Sequence, residues 1–184
     1  MQYNNAGSGL NKLFIAQIGT VVSSVLLLIP IVNLIALLAI LGFLILSLVG
    51  LNEAGKDIAG CKTAFQLTAA ELILNILSGI LGSGILGTLI SAASSVAGFL
   101  ALYFVCSSVA DVLRTRSHDD IASKGELVWK INLVCYAVEI VMSFLAHIPL
   151  LNVLAVPAGI IIPVVTIIAG ILYIVFLYKS SLAL

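Results

Sequence analysis

Three long apolar runs place the strongest constraint on how this chain can fold. The first, Leu13–Leu51, contains no charged residue, and as one helix it would be about 58 Å long at ~1.5 Å per residue. The hydrocarbon core of a bilayer is about 30 Å thick, so this run predicts two membrane spans rather than one long, proline-kinked helix. Ala64–Val112 and Leu127–Tyr178 are also too long for a single crossing. The three runs together therefore predict an all-α membrane bundle of six transmembrane helices.

The composition excludes a water-soluble surface for most of the chain. Hydrophobic residues make up 62% of the sequence and charged residues only 9%, whereas soluble domains carry roughly 25% charged residues. A water-facing fold would expose large apolar patches, so the lipid bilayer is the expected surrounding of most side chains. The formal net charge is zero, which gives no reason to expect a nucleic-acid partner.

The cysteines and histidines give no indication of a cofactor. Cys61, Cys106 and Cys135 are too widely spaced for a disulfide framework, and a structural zinc site needs about four convergent ligands. Cys106 and Cys135 lie in apolar surroundings, where we expect them to act as small hydrophobic residues, and we predict neither a metal nor another cofactor.

Turn-forming residues divide each run into a helical hairpin. Pro30 and Asn33 break the first run, the glycine-rich segment Gly79–Gly87 breaks the second, and Pro149 and Asn152 break the third. The predicted helices are Leu13–Ile29, Leu34–Leu51, Ala64–Ile80, Ile85–Val109, Val128–His147 and Gly159–Tyr178. They form three tandem hairpins over about 13–51, 64–109 and 128–178. A polar N-terminal tail, 1–12, precedes this single transmembrane domain, 13–178, and a short tail, 179–184, follows it.

All eight basic residues fall at one side of this six-span arrangement. They are Lys12, Lys56, Lys62, Arg114, Arg116, Lys124, Lys130 and Lys179. Because basic residues accumulate on the cytoplasmic side of membrane proteins, this placement predicts that both termini are cytoplasmic. The expected location is the cell membrane, in particular a bacterial inner membrane.

The outer turns of the first and third hairpins share a motif. Ile29–Ala36 matches Ile148–Ala155, with Ile, Pro, Asn and Ala identical and the other positions exchanging branched aliphatic residues. Only the proline, the asparagine and their position at the turn are informative in so apolar a chain. The match predicts a tandem repeat of hairpins in one orientation, with a diverged middle copy, unlike the inverted repeats of many transporters.

Polar residues recur at helical spacing in the first helix of each hairpin. The fifth predicted helix carries Asn132, Tyr136, Glu139, Ser143 and His147, the third carries Thr68, Glu71, Asn75 and Ser78, and the first carries Gln17, Thr20 and Ser24. A polar face is costly against lipid, so we expect these three stripes to face the interior of the bundle. The second and sixth helices are mostly apolar and should face lipid.

Glu139 is the residue that most needs an explanation. It lies about 16 Å into the fifth helix, near the bilayer midplane, and no basic residue occurs at that depth. Its expected neighbours are Tyr136, Ser143, Asn75 and Gln17. Two interpretations stay open: Glu139 is a proton or cation site, or it is a neutral acid that joins helices by hydrogen bonds. For Glu71, which is closer to an interface, the structural interpretation is favoured.

Small residues form a different face on the fourth helix. Gly87, Ser91, Ser95 and Gly98 recur at steps of three and four, which permits close helix packing. This face suits contact with a neighbouring helix, a second copy of the chain or another membrane protein.

Two functions are compatible with these features. The first is a membrane scaffold or accessory subunit that forms an oligomer or binds partner membrane proteins, and the small number of buried acids slightly favours it. The second is a channel or transporter for a small solute, a proton or a cation, lined by the first, third and fifth helices around Glu139. The sequence contains no catalytic constellation, so we do not expect an enzyme.

Overall fold

The computed structural model describes residues 3–27, 29–82, 84–145 and 155–184. These residues form six α-helices and one short 3-10 helix. The α-helices are α1 (Asn4–Leu26), α2 (Asn33–Ala54), α3 (Ala59–Leu81), α4 (Ile85–Thr115), α5 (Asp119–Leu145) and α6 (Ala155–Ala183), and the 3-10 helix Pro30–Val32 precedes α2.

Five of the described helical segments are long and apolar enough to cross a membrane. They are Asn4–Leu26, Pro30–Ala54, Ala59–Leu81, Ile85–Thr115 and Val164–Ala183. The mean hydropathy reaches 2.9 in Pro30–Ala54 and falls to 1.3 in Asn4–Leu26. The all-helical fold and its membrane character therefore agree with the sequence, while the sixth span and the tandem repeat stay predictions.

The six helices form a closed ring in chain order. Each helix packs against the helix that precedes it, with the most extensive contacts between α1 and α2 and between α3 and α4. α6 packs against α1, which closes the ring. Because the ring is closed, side chains on the inner faces of all six helices can meet at its centre.

The buried apolar core occupies one end of this ring. Its largest fully buried side chains include Leu10, Leu13, Val105, Leu113 and Phe176. Towards the other end, large apolar side chains are exposed on every helix, for example Val22, Leu38, Ile76, Leu89, Val141 and Ile168. In a bilayer such side chains contact lipid tails, so their exposure is expected.

Ion pairs and hydrogen bonds gather the basic residues at the core end of the bundle. Lys12 of α1 pairs with Glu53 of α2, and Arg114 of α4 pairs with Glu126 of α5. Arg116 donates hydrogen bonds of 3.2 and 3.3 Å to the carbonyl oxygens of Ala183 and Leu184. We call this the basic end, and the end that carries the 3-10 helix and the α3–α4 turn the opposite end.

The helices extend further at the basic end than the apolar runs predicted. α1 begins at Asn4 rather than Leu13, so most of the predicted N-terminal tail is helical, and α6 continues through the predicted C-terminal tail to Ala183. Hydropathy indicates only the part of a helix that can contact lipid. A helix can extend beyond that part where its residues pack against, or form hydrogen bonds with, other parts of the protein. Here Ala6 and Leu10 are buried, and the backbone N–H of Ala6 donates to a carboxylate oxygen of Asp57 at 3.0 Å.

The predicted turns at the opposite end agree with the structure where it describes them. Pro30 begins the 3-10 helix and Asn33 begins α2. α3 ends before Gly82, whose φ of 69° lies in the left-handed region that glycine adopts readily. Pro149 and Asn152, the second copy of the turn motif, lie outside the described residues.

Candidate functional site

A cavity of ≈ 200 Å³ lies between the six helices, and every helix contributes to its wall. The lining residues are Leu13, Gln17, Ser47, Leu51, Thr68, Glu71, Gly98, Ala101, Leu102, Val105, Tyr136 and Tyr173. Half of these side chains carry an oxygen or nitrogen atom. The centre of the ring is therefore a polar space within an apolar bundle.

The polar part of the wall comes mainly from the predicted stripes of α1, α3 and α5. Gln17, Glu71 and Tyr136 each belong to one of these stripes, and all three line the cavity together with Thr68. These helices are separated in the ring by α2 and α4, so the convergence is a tertiary feature. The mostly apolar helices α2 and α6 add single polar groups, Ser47 and Tyr173.

Glu71 is the one acidic residue among the residues that line the cavity, and no Lys or Arg is among them. Its carboxylate lies against α4: a Cβ built on Gly98 would be 2.6 Å from Glu71 Oε1. The hydroxyl of Ser94 donates to the backbone carbonyl of Glu71 at 3.1 Å. Gly98 and Ser94 thus bring α4 close to α3 at the level of the carboxylate. A carboxylate in such a place favours a proton or a bound cation as its partner.

The cavity is closed towards the basic end. Below its lining residues Leu13, Val105 and Tyr173, the buried core continues through Cys106 and Phe176, whose side chains are fully buried. Close-packed apolar side chains leave no space through which a solute can pass. In this structure the basic end is therefore the sealed side.

Towards the opposite end, several other residues of the same polar stripes are exposed. Asn75 lies one turn beyond Glu71 on α3, and Glu139 lies one turn beyond Tyr136 on α5, and both are exposed. Ser24, two turns beyond Gln17 on α1, is exposed as well. These three polar residues therefore lie outside the lining of the cavity.

Only some of the predicted polar-network residues line the cavity. Gln17, Glu71 and Tyr136 come together in the cavity, whereas Glu139, the residue on which the sequence analysis centred the site, does not line it. Asn132 is buried and donates to the carbonyl of Val128 in its own helix at 2.9 Å, so its amide hydrogen bond is a local one. The side chain of Ser143 lies outside the described part of the chain.

The four residues of the predicted packing face of α4 differ in burial. Gly87 and Gly98 are buried, but Ser95 is half-buried and Ser91 is exposed. The buried positions in this part of α4 also include Ser94, Ala97 and Ala101.

The cysteines form neither a disulfide nor a metal site in the described residues. Cys61, Cys106 and Cys135 are free and buried. Over the described ranges, no group of three or more His, Cys, Asp or Glu side chains could hold a metal ion.

No protein-family model, no curated protein and no solved structure matches this chain. What the protein does must therefore be argued from the geometry of the cavity. The class that the fold and the cavity define is a helical membrane protein with a polar interior.

Proposed function

We propose that this protein conducts protons or small cations across a membrane, and that Glu71 is the carboxylate that binds them. The observation that carries the proposal is the position of Glu71 in a cavity walled by all six helices. In this proposal the protein carries out no chemical reaction.

The chemistry of the cavity suits a cation better than an anion or an apolar solute. Besides Glu71, its wall offers the amide oxygen of Gln17 and the hydroxyl groups of Ser47, Thr68 and Tyr136. Oxygen atoms are the ligands that hard cations prefer, and a carboxylate without a basic neighbour supplies the negative charge. The same hydroxyl groups can also hold water molecules that pass a proton to the carboxylate.

The shape of the cavity supports access from one side at a time. The packed core that closes the basic end corresponds to one of the two states that alternating access requires. We infer that release towards the basic end needs a rearrangement of the core around Phe176 and Tyr173.

We further propose the full membrane arrangement that the sequence predicted. All six helices span the membrane as three hairpins, and the basic end with both termini lies in the cytoplasm. The gathering of the eight basic residues at one end of the bundle supports this orientation. The location that follows is the cell membrane, and a bacterial inner membrane in particular.

Proteoliposomes with an imposed pH, Na⁺ or K⁺ gradient test the proposal, with flux followed by pH-sensitive and cation-sensitive dyes. The parent protein should conduct at least one of these ions above the level of empty liposomes. Glu71→Gln should lower that flux by about tenfold or more, because the neutral amide no longer attracts the ion.

Glu139→Gln is the matched variant for this experiment. It makes the same chemical change in the last third of α5, at a residue that does not line the cavity, so its flux should stay within about twofold of the parent. Background flux in the parent protein for every ion would overturn the proposal. A larger loss in Glu139→Gln than in Glu71→Gln would move the site to Glu139.

A second candidate function is a membrane scaffold that forms a homo-oligomer or binds another membrane protein. The observation that favours it is Gly42 of α2, where an added Cβ would meet no heavy atom within 4 Å, beside the exposed Leu38, Leu41 and Ile45. Small residues on a lipid-facing surface allow a second helix to approach closely. Disulfide formation between Gly42→Cys chains in membranes tests it. The parent protein, whose three native cysteines are buried, gives the background level of disulfide formation.

A further inference from the structure

We propose that a groove between α4 and α5 at the basic end binds the headgroup of a zwitterionic phospholipid, of the phosphoethanolamine type. The groove encloses ≈ 210 Å³ and is lined by Tyr103, Ser107, Ala110, Asp111, Arg114, Glu126 and Trp129. It shares no lining residue with the central cavity. The inference is therefore independent of the proposed cation pathway.

The inner wall of the groove is aromatic. The rings of Tyr103 and Trp129 meet edge to face, with centroids 5.2 Å apart and an interplanar angle of 90°. Phe99 continues this row along α4, with its centroid 6.4 Å from that of Tyr103. Tyrosine and tryptophan favour the level of the lipid headgroups, because one part of each ring system is apolar and another is polar. The row can accept the first part of an acyl chain as it leaves the headgroup.

Two basic and two acidic side chains alternate in a chain of ion pairs at the groove, of which three line it and Lys130 pairs with Glu126 beside it. Arg114 bridges Asp111, at 3.4 Å, and Glu126. Lys130 contacts the other oxygen of Glu126 at 3.3 Å. These four charges sum to zero, so an anionic ligand would meet both carboxylates and a purely cationic ligand would meet both basic groups.

A zwitterion matches this rim because it carries both signs a few ångströms apart. Its phosphate can bind the guanidinium of Arg114 and the ammonium of Lys130, whose side chains are 42% and 56% exposed. Its own ammonium can reach Asp111, which is 75% exposed, and the hydroxyl of Ser107.

The oxygen acceptors at the rim favour ethanolamine over choline. A primary ammonium donates three hydrogen bonds and suits the oxygen atoms of Asp111 and Ser107, whereas a quaternary ammonium has no N–H to donate. Choline is usually recognised by open aromatic faces. Here Lys130 Nζ already lies 5.6 Å from the centroid of the Trp129 ring, so that aromatic face is not open to a choline group.

Trp129 is the single tryptophan of the chain, so its fluorescence reports directly on this groove. The detergent-solubilised protein is titrated with short-chain phosphatidylethanolamine, phosphatidylglycerol and phosphatidylcholine in separate experiments. We expect a saturable change in Trp129 emission with phosphatidylethanolamine, at a concentration about tenfold lower than with either other lipid. Equal responses to all three lipids, or no saturable response to phosphatidylethanolamine, would overturn the proposal.

Two variants and one soluble ligand test which groups of the groove and of the lipid are recognised. Asp111→Asn removes an exposed carboxylate with little risk to folding, and it should weaken phosphatidylethanolamine binding about tenfold while improving phosphatidylglycerol binding. Asp120→Asn, an exposed acid on α5 outside the groove, should leave both unchanged. Free phosphoethanolamine should bind more weakly than the lipid, and equal affinity would show that the groove recognises a soluble phosphate ester instead.

Discussion

The carboxylate of Glu71 lies directly against the backbone of Gly98, where any larger side chain on α4 would occupy its place. A Cβ on Gly98 would come within 2.6 Å of Oε1 and 2.8 Å of Cδ of Glu71. The absence of a side chain on α4 therefore creates the space that holds the charged group of α3. This relationship leads to the first prediction.

Gly98→Ala should displace the Glu71 carboxylate and reduce ion flux more than it reduces stability. The clashing atoms are the far end of a flexible side chain, so the helices can stay in place while the carboxylate moves. We expect a loss of stability of about 1 kcal/mol, at the lower limit for overpacking, together with a flux reduced several-fold. Flux in proteoliposomes and thermal unfolding in detergent measure the two effects.

Gly42→Ala is the control for this prediction. The same methyl group is added in α2, where no heavy atom lies within 4 Å, so stability and flux should both match the parent. If Gly98→Ala conducts as well as Gly42→Ala, the position of the Glu71 carboxylate does not matter for conduction.

Asp57 should stabilise the start of α1 in a pH-dependent way. It accepts hydrogen bonds of 3.0 Å from the side-chain amide of Asn5 and from the backbone N–H of Ala6, and these hold the pKa of its carboxyl below the ordinary 3.8. Because the pKa is lower in the folded than in the unfolded protein, the stabilisation is complete above about pH 3.8. It is lost as the pH falls further, through the folded-state pKa.

Asp57→Ala should therefore lower the unfolding temperature at pH 7, and by progressively less as the pH falls below about 3.8. The expected loss is about 0.5–1 kcal/mol, the lower part of the range for helix N-terminal caps, because the site is partly exposed. Thermal unfolding followed by circular dichroism across this pH range measures it. A constant difference between variant and parent at all pH values would contradict the role assigned to the carboxylate.

Phe176→Ala should cause the largest loss of stability among single substitutions at the basic end. The ring is fully buried in the core and lies against Gly125 of α5, so its removal leaves a cavity between α5 and α6. Truncation of a buried phenylalanine typically costs about 3–5 kcal/mol. Denaturant unfolding in detergent measures the effect.

Val175→Ala is the neighbouring control on the same helix. Val175 is among the exposed apolar residues, so its truncation should cost less than about 1 kcal/mol. Comparable losses in the two variants would mean that the sealed core at the basic end does not hold α5 and α6 together.

Sequence reasoning predicted those features of the fold that depend on local properties. The lengths of the apolar runs imply paired helices within each run, because a bilayer has a fixed thickness. Gln17, Glu71 and Tyr136 of the predicted stripes line the cavity, whereas Ser24, Asn75 and Glu139 of the same stripes are exposed. The all-helical fold and its long apolar helices could be predicted because helical period and hydropathy are properties of a segment of chain, whatever surrounds it.

Only the tertiary structure decided which acid lies in the interior. Glu71 and Glu139 have the same side chain and the same kind of stripe, and depth alone favoured Glu139. The packing of the helices decides otherwise. A Cβ on Gly98 of α4 would meet the carboxyl group of Glu71, which lines the cavity, whereas Glu139 is exposed and does not line it. The sequence by itself determined a membrane bundle with polar inner faces. The position of its cavity depends on where those faces converge, and convergence depends on contacts between helices that the periodicity of one helix does not encode.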